Sequence, residues 1–281
     1  MKHQLIGFSC IALMLGGCGG SDSKPKPGSS SAMAMSSMMV ASSSTAVMSS
    51  SSAMTSSEMA SSEMASSSMA AMTERKYSVT VTNLTAGQPF SPLAYSVHYS
   101  GFSPFTIGMP ATGGIEKIAE SGATDDYINE AMANPDVILV DHAMGLTLPG
   151  ESKTVSLNVS VEMANADQLL FSLVNMLGNT NDAFAGVNSV AIGKLAVGEN
   201  LTLNALSYDA GTEMNTESQA TIPGPAGGGE GFNAVRDDIA DQVTMHPGAV
   251  TQDDGKMDST LTQVHRWDNP TARITITRLA P

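Results

Sequence analysis

The stretch ESKTVSLNVSVEM, residues 151–163, alternates strictly between polar and apolar residues. Its apolar positions are Val155, Leu157, Val159 and Val161. Side chains of a β-strand point alternately to its two faces, so this period of two predicts a strand with one buried and one solvated face. Half-buried strands of this kind are typical of antiparallel sheets.

Similar short segments recur from Arg75 onward, separated by Pro, Gly and polar turn residues. The predicted strands are KYSVTVTNLT (76–85), SPLAYSVHYS (91–100), SPFTIG (103–108), DVILVDHA (136–143), LTLNALSY (201–208) and TARITITRL (271–279). QLLFSLVNML (168–177) is apolar on both faces, so it is either a central strand or a buried helix. Residues 113–135 form the one helical region, in which Thr124 and Asp125 are placed to cap a second short helix. We therefore predict an all-β antiparallel sandwich with one or two short helices.

The N-terminal part of the chain has a different character. Residues 1–17 combine a short basic start with an apolar run too short to span a bilayer, and they end in small residues before Cys18. This pattern predicts a bacterial lipoprotein signal peptide with Cys18 as the lipidated residue, and outer-membrane attachment. Residues 18–74 are rich in Ser, Ala and Met and predict a disordered stalk. The folded domain is predicted over residues 75–281.

Charge and cysteine content narrow the functional classes. The net charge of −14 excludes a nucleic-acid binder, which needs a basic face, and an acidic surface attracts cations instead. The only cysteines are Cys10 and Cys18, both in the targeting segment, so the folded domain is predicted to have no disulfide.

The methionines of the stalk raise a copper-handling alternative, because thioethers are soft ligands for Cu(I). Ten of them lie between Met33 and Met72. Few are closely spaced, and no histidine lies in the segment. Drift of a five-residue repeat, such as SSEMA at residues 56–60 and 61–65, is the other explanation.

Two loops rich in oxygen ligands follow predicted strands. They are GNTNDAFAG (178–186) and YDAGTEMNTE (208–217). Their candidate ligands are Asn179, Asn181, Asp182, Asp209, Glu213, Asn215 and Glu217. Calcium takes six to eight oxygens from carboxylates, amides and backbone carbonyls, which two neighbouring loops can supply. From spacing alone, a calcium site and solvated turn acids both remain open.

A catalytic acid pair is the remaining alternative for these loops. Asp209 and Glu213 are candidates for acid and base in glycoside cleavage, which needs a concave site with aromatic platforms. Trp267, the only tryptophan, is far away in sequence. His246 lies just before a proline, which predicts an exposed turn histidine rather than a ligand or base.

The combination of NLTAGQPFSP (83–92), MLGNTNDAF (176–184) and DAGTE (209–213) resembles the spondin domain, a module that also occurs in bacterial secreted proteins. Further matching pieces are FTIGMPATGGIEKIAESG (105–122) and NPTARITITRL (269–279), so the resemblance covers about residues 76–279. It implies an eight-stranded antiparallel β-sandwich similar to calcium-dependent lipid-binding domains.

The resemblance also implies one Ca²⁺ site, with Asp182, Asp209 and Glu213 as its ligands. Glu213 stands where the animal domain has a second Asp, so its arm is one methylene longer. The expectation is a cell-surface lipoprotein with a calcium-binding spondin-like domain that acts as a binding or adhesion module and not as an enzyme. Its partners would be the membrane, through the lipid anchor, and a protein or glycan that the sequence does not identify.

Overall fold

The structure of the chain, a computed structural model, describes residues 69–281. The predicted signal peptide, the lipidation of Cys18 and almost all of the Met-rich stalk lie outside these residues. Strand β1 begins at Met72, three residues before the start predicted for the folded domain. None of the helices among residues 69–281 is long and apolar enough to cross a membrane.

The described residues are mostly β-structure, which confirms the predicted fold class. The strands are β1 (Met72–Asn83), β2 (Leu93–His98), β3 (Val137–Ala143), β4 (Ser152–Glu162), β5 (Leu170–Met176), β6 (Ala183–Ala191), β7 (Asn200–Asp209), β8 (Thr244–Met245) and β9 (Ala272–Leu279). The α-helices are α1 (Gly113–Ser121) and α2 (Asp125–Met132). Single-turn 3₁₀ helices occur at Ala166–Gln168, Gln252–Asp254 and Gln263–His265.

The nine strands found among residues 69–281 are antiparallel to their neighbours and form one nearly closed sheet, whose main path is β3-β2-β5-β6-β7-β9-β1-β4. The two-residue strand β8 lies off this path and pairs with β7, so eight strands form the main path, as the family resemblance implies. Strand β7 joins the two halves. Its first part, residues 200–205, pairs with β9, and its last part, residues 206–209, pairs with β6.

The main core lies between these halves. Strict alternation places Val155, Leu157, Val159 and Val161 of β4 on the buried face, as predicted. Tyr77, Val79 and Val81 of β1 belong to the same core, and each is fully buried. Phe171 and Leu173 of β5 belong to the same core. Burial of these apolar side chains is the dominant stabilising term for a sheet of this kind.

The outer face of the second half is covered by the helices. Ile115 and Ile118 of α1 pack with Val174 and Phe184 in a second core cluster. Strand β5 is therefore buried on both faces, which explains why apolar residues occupy both its odd and its even positions. The structure resolves the ambiguity of residues 168–177 in favour of a central strand.

Two local predictions were wrong. SPFTIG (103–108) forms an irregular loop that ends in a turn and not a strand; its Phe105 packs into the second core cluster. Thr124 does precede α2, but its side chain does not cap that helix. Its hydroxyl is hydrogen-bonded to Nδ1 of His142 instead.

Candidate functional site

The register between β6 and β7 brings the two predicted acid loops together. Ala183, the first residue of β6, pairs with Asp209, the last residue of β7. Just beyond this pair, the Ala210 backbone N–H donates to the carbonyl of Asp182 at 3.1 Å. Asp182 and Asp209 therefore lie at the same end of the sheet, one before β6 and the other at the end of β7.

A tight turn follows Asp209. The Gly211 N–H donates to Asp209 Oδ1 at 2.8 Å, and Gly211 has φ = 70°, in the left-handed region. A Cβ at this position would lie 2.4 Å from the carbonyl oxygen of Gln242. Both the dihedral angle and the close approach require glycine.

The carboxylate of Asp182 holds this turn in place. Its Oδ2 accepts hydrogen bonds from the backbone N–H groups of Thr212 at 2.8 Å and Glu213 at 3.1 Å. The Thr212 hydroxyl lies 3.3 Å from the same oxygen. One oxygen of Asp182 thus fixes the backbone that carries Glu213.

Asp182, Asp209 and Glu213, here called the acid cluster, are all buried, with exposed fractions of 0%, 4% and 7%. Both oxygens of Asp209 are hydrogen-bonded, Oδ1 to Gly211 and Oδ2 to the Asn215 side-chain amide at 2.6 Å. In contrast, Asp182 Oδ1 and Glu213 Oε2 are buried and have no hydrogen-bond partner. Such a group pays the full cost of desolvation, so it is rare without a functional reason.

Burial and neighbouring acids disfavour the charged forms of the carboxyl groups in the acid cluster. Burial, and then the negative charge of Asp209, raises the pKa of Asp182 to about 7. Burial raises the pKa of Glu213 to about 8, with contributions from Glu120, Asp182 and Asp237. Burial also raises the pKa of Asp209. The charged groups that raise the pKa values of Asp182 and Glu213 are all carboxylates, so a positive charge beside these two acids would relieve the repulsion.

A bound cation would supply this positive charge. The oxygen atoms of carboxylates are ligands that hard cations prefer. Among residues 69–281, no group of three or more His, Cys, Asp or Glu side chains is already arranged to hold a metal ion. Calcium sites are flexible and take much of their coordination from backbone carbonyls, amides and water. The acid cluster therefore offers charge and unpaired oxygens, and coordination would have to be completed as an ion enters.

His246 is buried, which corrects the prediction of an exposed turn histidine. It is 7% exposed, because Trp267 packs against its ring at 5.1 Å between centroids. Its Nδ1 accepts from the Gly248 N–H at 2.9 Å, and its Nε2 lies 3.3 Å from Asn215 Oδ1. Burial lowers the pKa of His246 to about 4, so the ring is neutral near pH 7. It orients Asn215 and supplies no positive charge.

The other candidate ligands have their own hydrogen bonds. Asn181 Oδ1 accepts from the Glu217 N–H at 3.2 Å, and Glu217 Oε1 accepts from the Val250 N–H at 3.1 Å. Asn215 donates to Asp209, as described above. These residues shape the loops around the acid cluster and leave Asp182 and Glu213 as the acids with unpaired oxygens.

Asn179 faces away from the acid cluster, although it is only three residues from Asp182. Together with Asn83 and Gln88 it forms a buried amide cluster in which every side-chain oxygen and nitrogen is hydrogen-bonded. Asn179 Oδ1 accepts from the Ala226 N–H at 2.9 Å. The sequence grouped Asn179 with the ligands because it could not show that the side chains of this loop point to two different places.

The sequence also gave no role to Glu120 in α1. This side chain is 1% exposed, and its Oε1 is buried without a hydrogen-bond partner. Acids on a short helix normally predict a solvated face. One signal was present: Glu116 and Glu120 have i, i+4 spacing, at which like charges destabilise an isolated helix. That spacing indicates partners elsewhere in the fold.

Comparison with known proteins agrees with this architecture. A family model described as Spondin_N matches residues 76–223, more than half of the chain, and this range contains the whole acid cluster. No curated protein matches the chain. The match confirms the resemblance drawn from the loop motifs, and this chain belongs to the Spondin_N family.

Proposed function

We propose that this chain is a cell-surface lipoprotein whose spondin domain binds one calcium ion at Asp182, Asp209 and Glu213. The domain serves as a binding or adhesion module for a protein or glycan. Spondin-type domains are not known as enzymes, and the proposal assigns no catalytic role to the acid cluster.

One observation carries the calcium proposal: two buried carboxylate oxygens, Asp182 Oδ1 and Glu213 Oε2, have no hydrogen-bond partner. The charged groups that act on them are acidic. Both oxygens could coordinate a divalent cation, and its positive charge would offset the repulsion among the carboxylates. The oxygen-only donor set favours a hard cation over copper or zinc.

Calcium is favoured over magnesium because the acids lie on two different loops. Magnesium demands near-ideal octahedral geometry, whereas calcium accepts irregular sets of six to eight oxygens from loops. Asp182 and Glu213 lie on two different loops, and the longer arm of Glu213 suits a flexible site. Bound calcium would tie the loop before β6 to the turn after β7.

The test is the melting temperature of the purified protein in excess EDTA and in millimolar Ca²⁺. Ligand at about 100 times its Kd stabilises the folded state by about 2.7 kcal/mol. For a domain of this size that corresponds to a rise of roughly 5–10 °C. We expect Asp209→Asn to abolish most of this rise.

Asp258→Asn is the matched control, because it removes the same charge from a side chain that is 80% exposed. It should leave the calcium-dependent rise unchanged. If wild-type protein melts at the same temperature with and without millimolar Ca²⁺, the calcium proposal fails. An equal rise with Mg²⁺ would contradict the choice of ion.

The lipoprotein part of the proposal rests on the sequence before Cys18 and is tested separately. We expect the bacterial cell to attach labelled fatty acid to wild-type protein and not to Cys18→Ala. The wild-type protein should fractionate with the outer membrane. Labelling of the Cys18→Ala variant would contradict lipidation at this residue.

A further inference from the structure

Glu120 lies in the last turn of α1 and points into the protein. It is 1% exposed. Its Oε2 accepts from the backbone N–H of Asn233 at 2.9 Å, while its Oε1 is buried with no hydrogen-bond partner. Among residues 69–281, the buried carboxylate oxygens that have no hydrogen-bond partner are Glu120 Oε1, Asp182 Oδ1 and Glu213 Oε2.

The segment that binds Glu120 also binds the turn that carries Glu213. The Asn233 N–H donates to Glu120 Oε2 at 2.9 Å, and the Asp237 N–H donates to the Thr212 carbonyl at 3.1 Å. Thr212 lies between the two elements: its hydroxyl is 3.3 Å from Asp182 Oδ2, and its side chain is near enough to lower the pKa of Glu120. Glu120 therefore approaches the acid cluster from the helix side.

Other buried acids nearby are satisfied. Glu116, one helical turn earlier, forms a two-pronged ion pair with Arg236, with Nε–Oε1 and NH2–Oε2 distances of 3.0 and 2.6 Å. Arg236 also binds Asp241 at 2.9 Å, so its guanidinium is already shared between two other acids. Glu217 accepts a hydrogen bond from Val250. Glu120 differs from these acids because one of its oxygens is left unpaired beside Glu213.

We propose that Glu120 is a fourth carboxylate ligand of the cation site, contributed by helix α1. The inference rests on the proposed function, since it extends the site of Asp182, Asp209 and Glu213 to a residue on a third element. Because no such group of acids among residues 69–281 is already arranged as a metal site, the three carboxylates would have to close around a divalent cation for it to pair all three free oxygens. An additional charged ligand raises the affinity of a calcium site.

The same contact would couple the ion to a segment outside the matched family range. Asn233 is bound to Glu120, and Arg236 to Glu116. Asp237 N–H donates to the Thr212 carbonyl at 3.1 Å, and Asp237 Oδ1 accepts from the Met214 N–H at 2.8 Å. Residues 233–237 therefore cover the site from outside, and calcium should slow amide hydrogen exchange there as well as in the two acid loops.

The test is calorimetric titration of the purified protein with Ca²⁺, comparing wild type, Glu120→Gln and Glu162→Gln. Glu120→Gln keeps the size of the side chain and an oxygen for the Asn233 N–H but removes the charge. We expect it to weaken calcium binding at least about tenfold. Glu162→Gln makes the same chemical change at an exposed position of β4 and should change the Kd less than about twofold.

The outcomes separate this inference from the proposed function. If wild type and Glu120→Gln bind calcium equally well, the inference is overturned while the calcium site stands. If wild type binds no calcium at millimolar concentration, the proposed function fails and the inference falls with it. If Glu120→Gln does not fold, Glu120→Asp decides, because it keeps the charge and retracts it by one methylene. Weaker binding by that variant supports the inference, and unchanged binding overturns it.

A second readout distinguishes a ligand from a residue that only shapes the site. Calcium should slow hydrogen exchange at residues 233–237 in wild type and have a much smaller effect there in Glu120→Gln at saturating Ca²⁺. Protection of this segment that is equal in the two proteins would contradict a direct link between Glu120 and the ion.

Discussion

The loop between β5 and β6 serves two buried polar regions that are built in different ways. The amide cluster of Asn83, Gln88 and Asn179 is neutral, and all of its side-chain donors and acceptors are paired within the protein. The acid cluster begins three residues later at Asp182 and keeps unpaired carboxylate oxygens. Of these two regions, only the acid cluster has buried oxygens that a bound ion could pair. Burial of polar groups alone therefore does not identify a functional site.

The largest effect is expected from breaking the amide cluster. Asn83→Ala removes the groups that bind Gln88 O, Thr147 O and the Thr85 N–H, leaving several buried groups unpaired. We expect a loss of roughly 3–5 kcal/mol in the free energy of unfolding, measured by chemical denaturation. The loss should be the same in EDTA and in Ca²⁺. Asn158→Ala, at an exposed position of β4, should change stability by less than about 0.5 kcal/mol. A calcium-dependent loss in Asn83→Ala would contradict the separation of the two regions.

The next effect is a pH dependence to which the acid cluster contributes and the neutral amide cluster does not. The pKa values of Asp182 and Glu213 rise from 3.8 and 4.5 to about 7 and about 8 on folding. Through these two groups the folded state binds more protons than the unfolded state, so they lower stability in EDTA as the pH rises. Buried neutral His246, whose pKa falls from 6.5 to about 4, acts in the opposite direction below about pH 6.5, so the fall should be clearest between pH 6.5 and pH 8. Each excess proton corresponds to about 1.4 kcal/mol per pH unit.

Calcium should flatten this pH profile, because the bound ion keeps the carboxylates charged in the folded state. Glu213→Gln should flatten it in EDTA as well, since the variant removes one of the titrating groups. The measurement is the melting temperature between pH 5 and pH 8. A wild-type profile in EDTA that rises between pH 6.5 and pH 8 would contradict the burial of unpaired acids at this site.

The smallest effect is expected at the residue that departs from the animal form of the domain. Glu213→Asp shortens the arm by one methylene but keeps the charge, so the protein should still bind calcium. We expect the Kd to change less than tenfold, which corresponds to less than about 1.4 kcal/mol. Titration calorimetry measures it. Loss of binding in this variant would mean that the site is built for the longer arm of Glu213.

The sequence predicted the half-buried strands well, because their alternation reports one buried face directly. Val155, Leu157, Val159 and Val161 in β4 lie on the predicted face. Strand β5 was ambiguous because helices cover its outer face, which removes the alternation. The failure at residues 103–108 has a similar origin, since Phe105 packs against Phe184 and Tyr208 without belonging to a strand.

The site was predictable only in part. The loop motifs identified Asp182, Asp209 and Glu213, and the structure brings the two loops together through the pairing of Ala183 with Asp209. Pairing register is a property of the folded sheet, so spacing along the chain could not show it. Glu120 and His246 were missed because their burial depends on residues far away in sequence, Asn233 for one and Trp267 for the other.

The most direct test of the difference between the two buried regions is the number of calcium ions bound per chain, measured by equilibrium dialysis. Wild-type protein is predicted to bind one ion, and Asp182→Asn, which removes the charge at the centre of the acid cluster, is predicted to bind none. Asn179→Asp, which places a carboxylate in the amide cluster of the same loop, should not add a second ion. Wild-type protein that binds no calcium at millimolar concentration, or an Asp182→Asn variant that binds as tightly as wild type, would contradict the account.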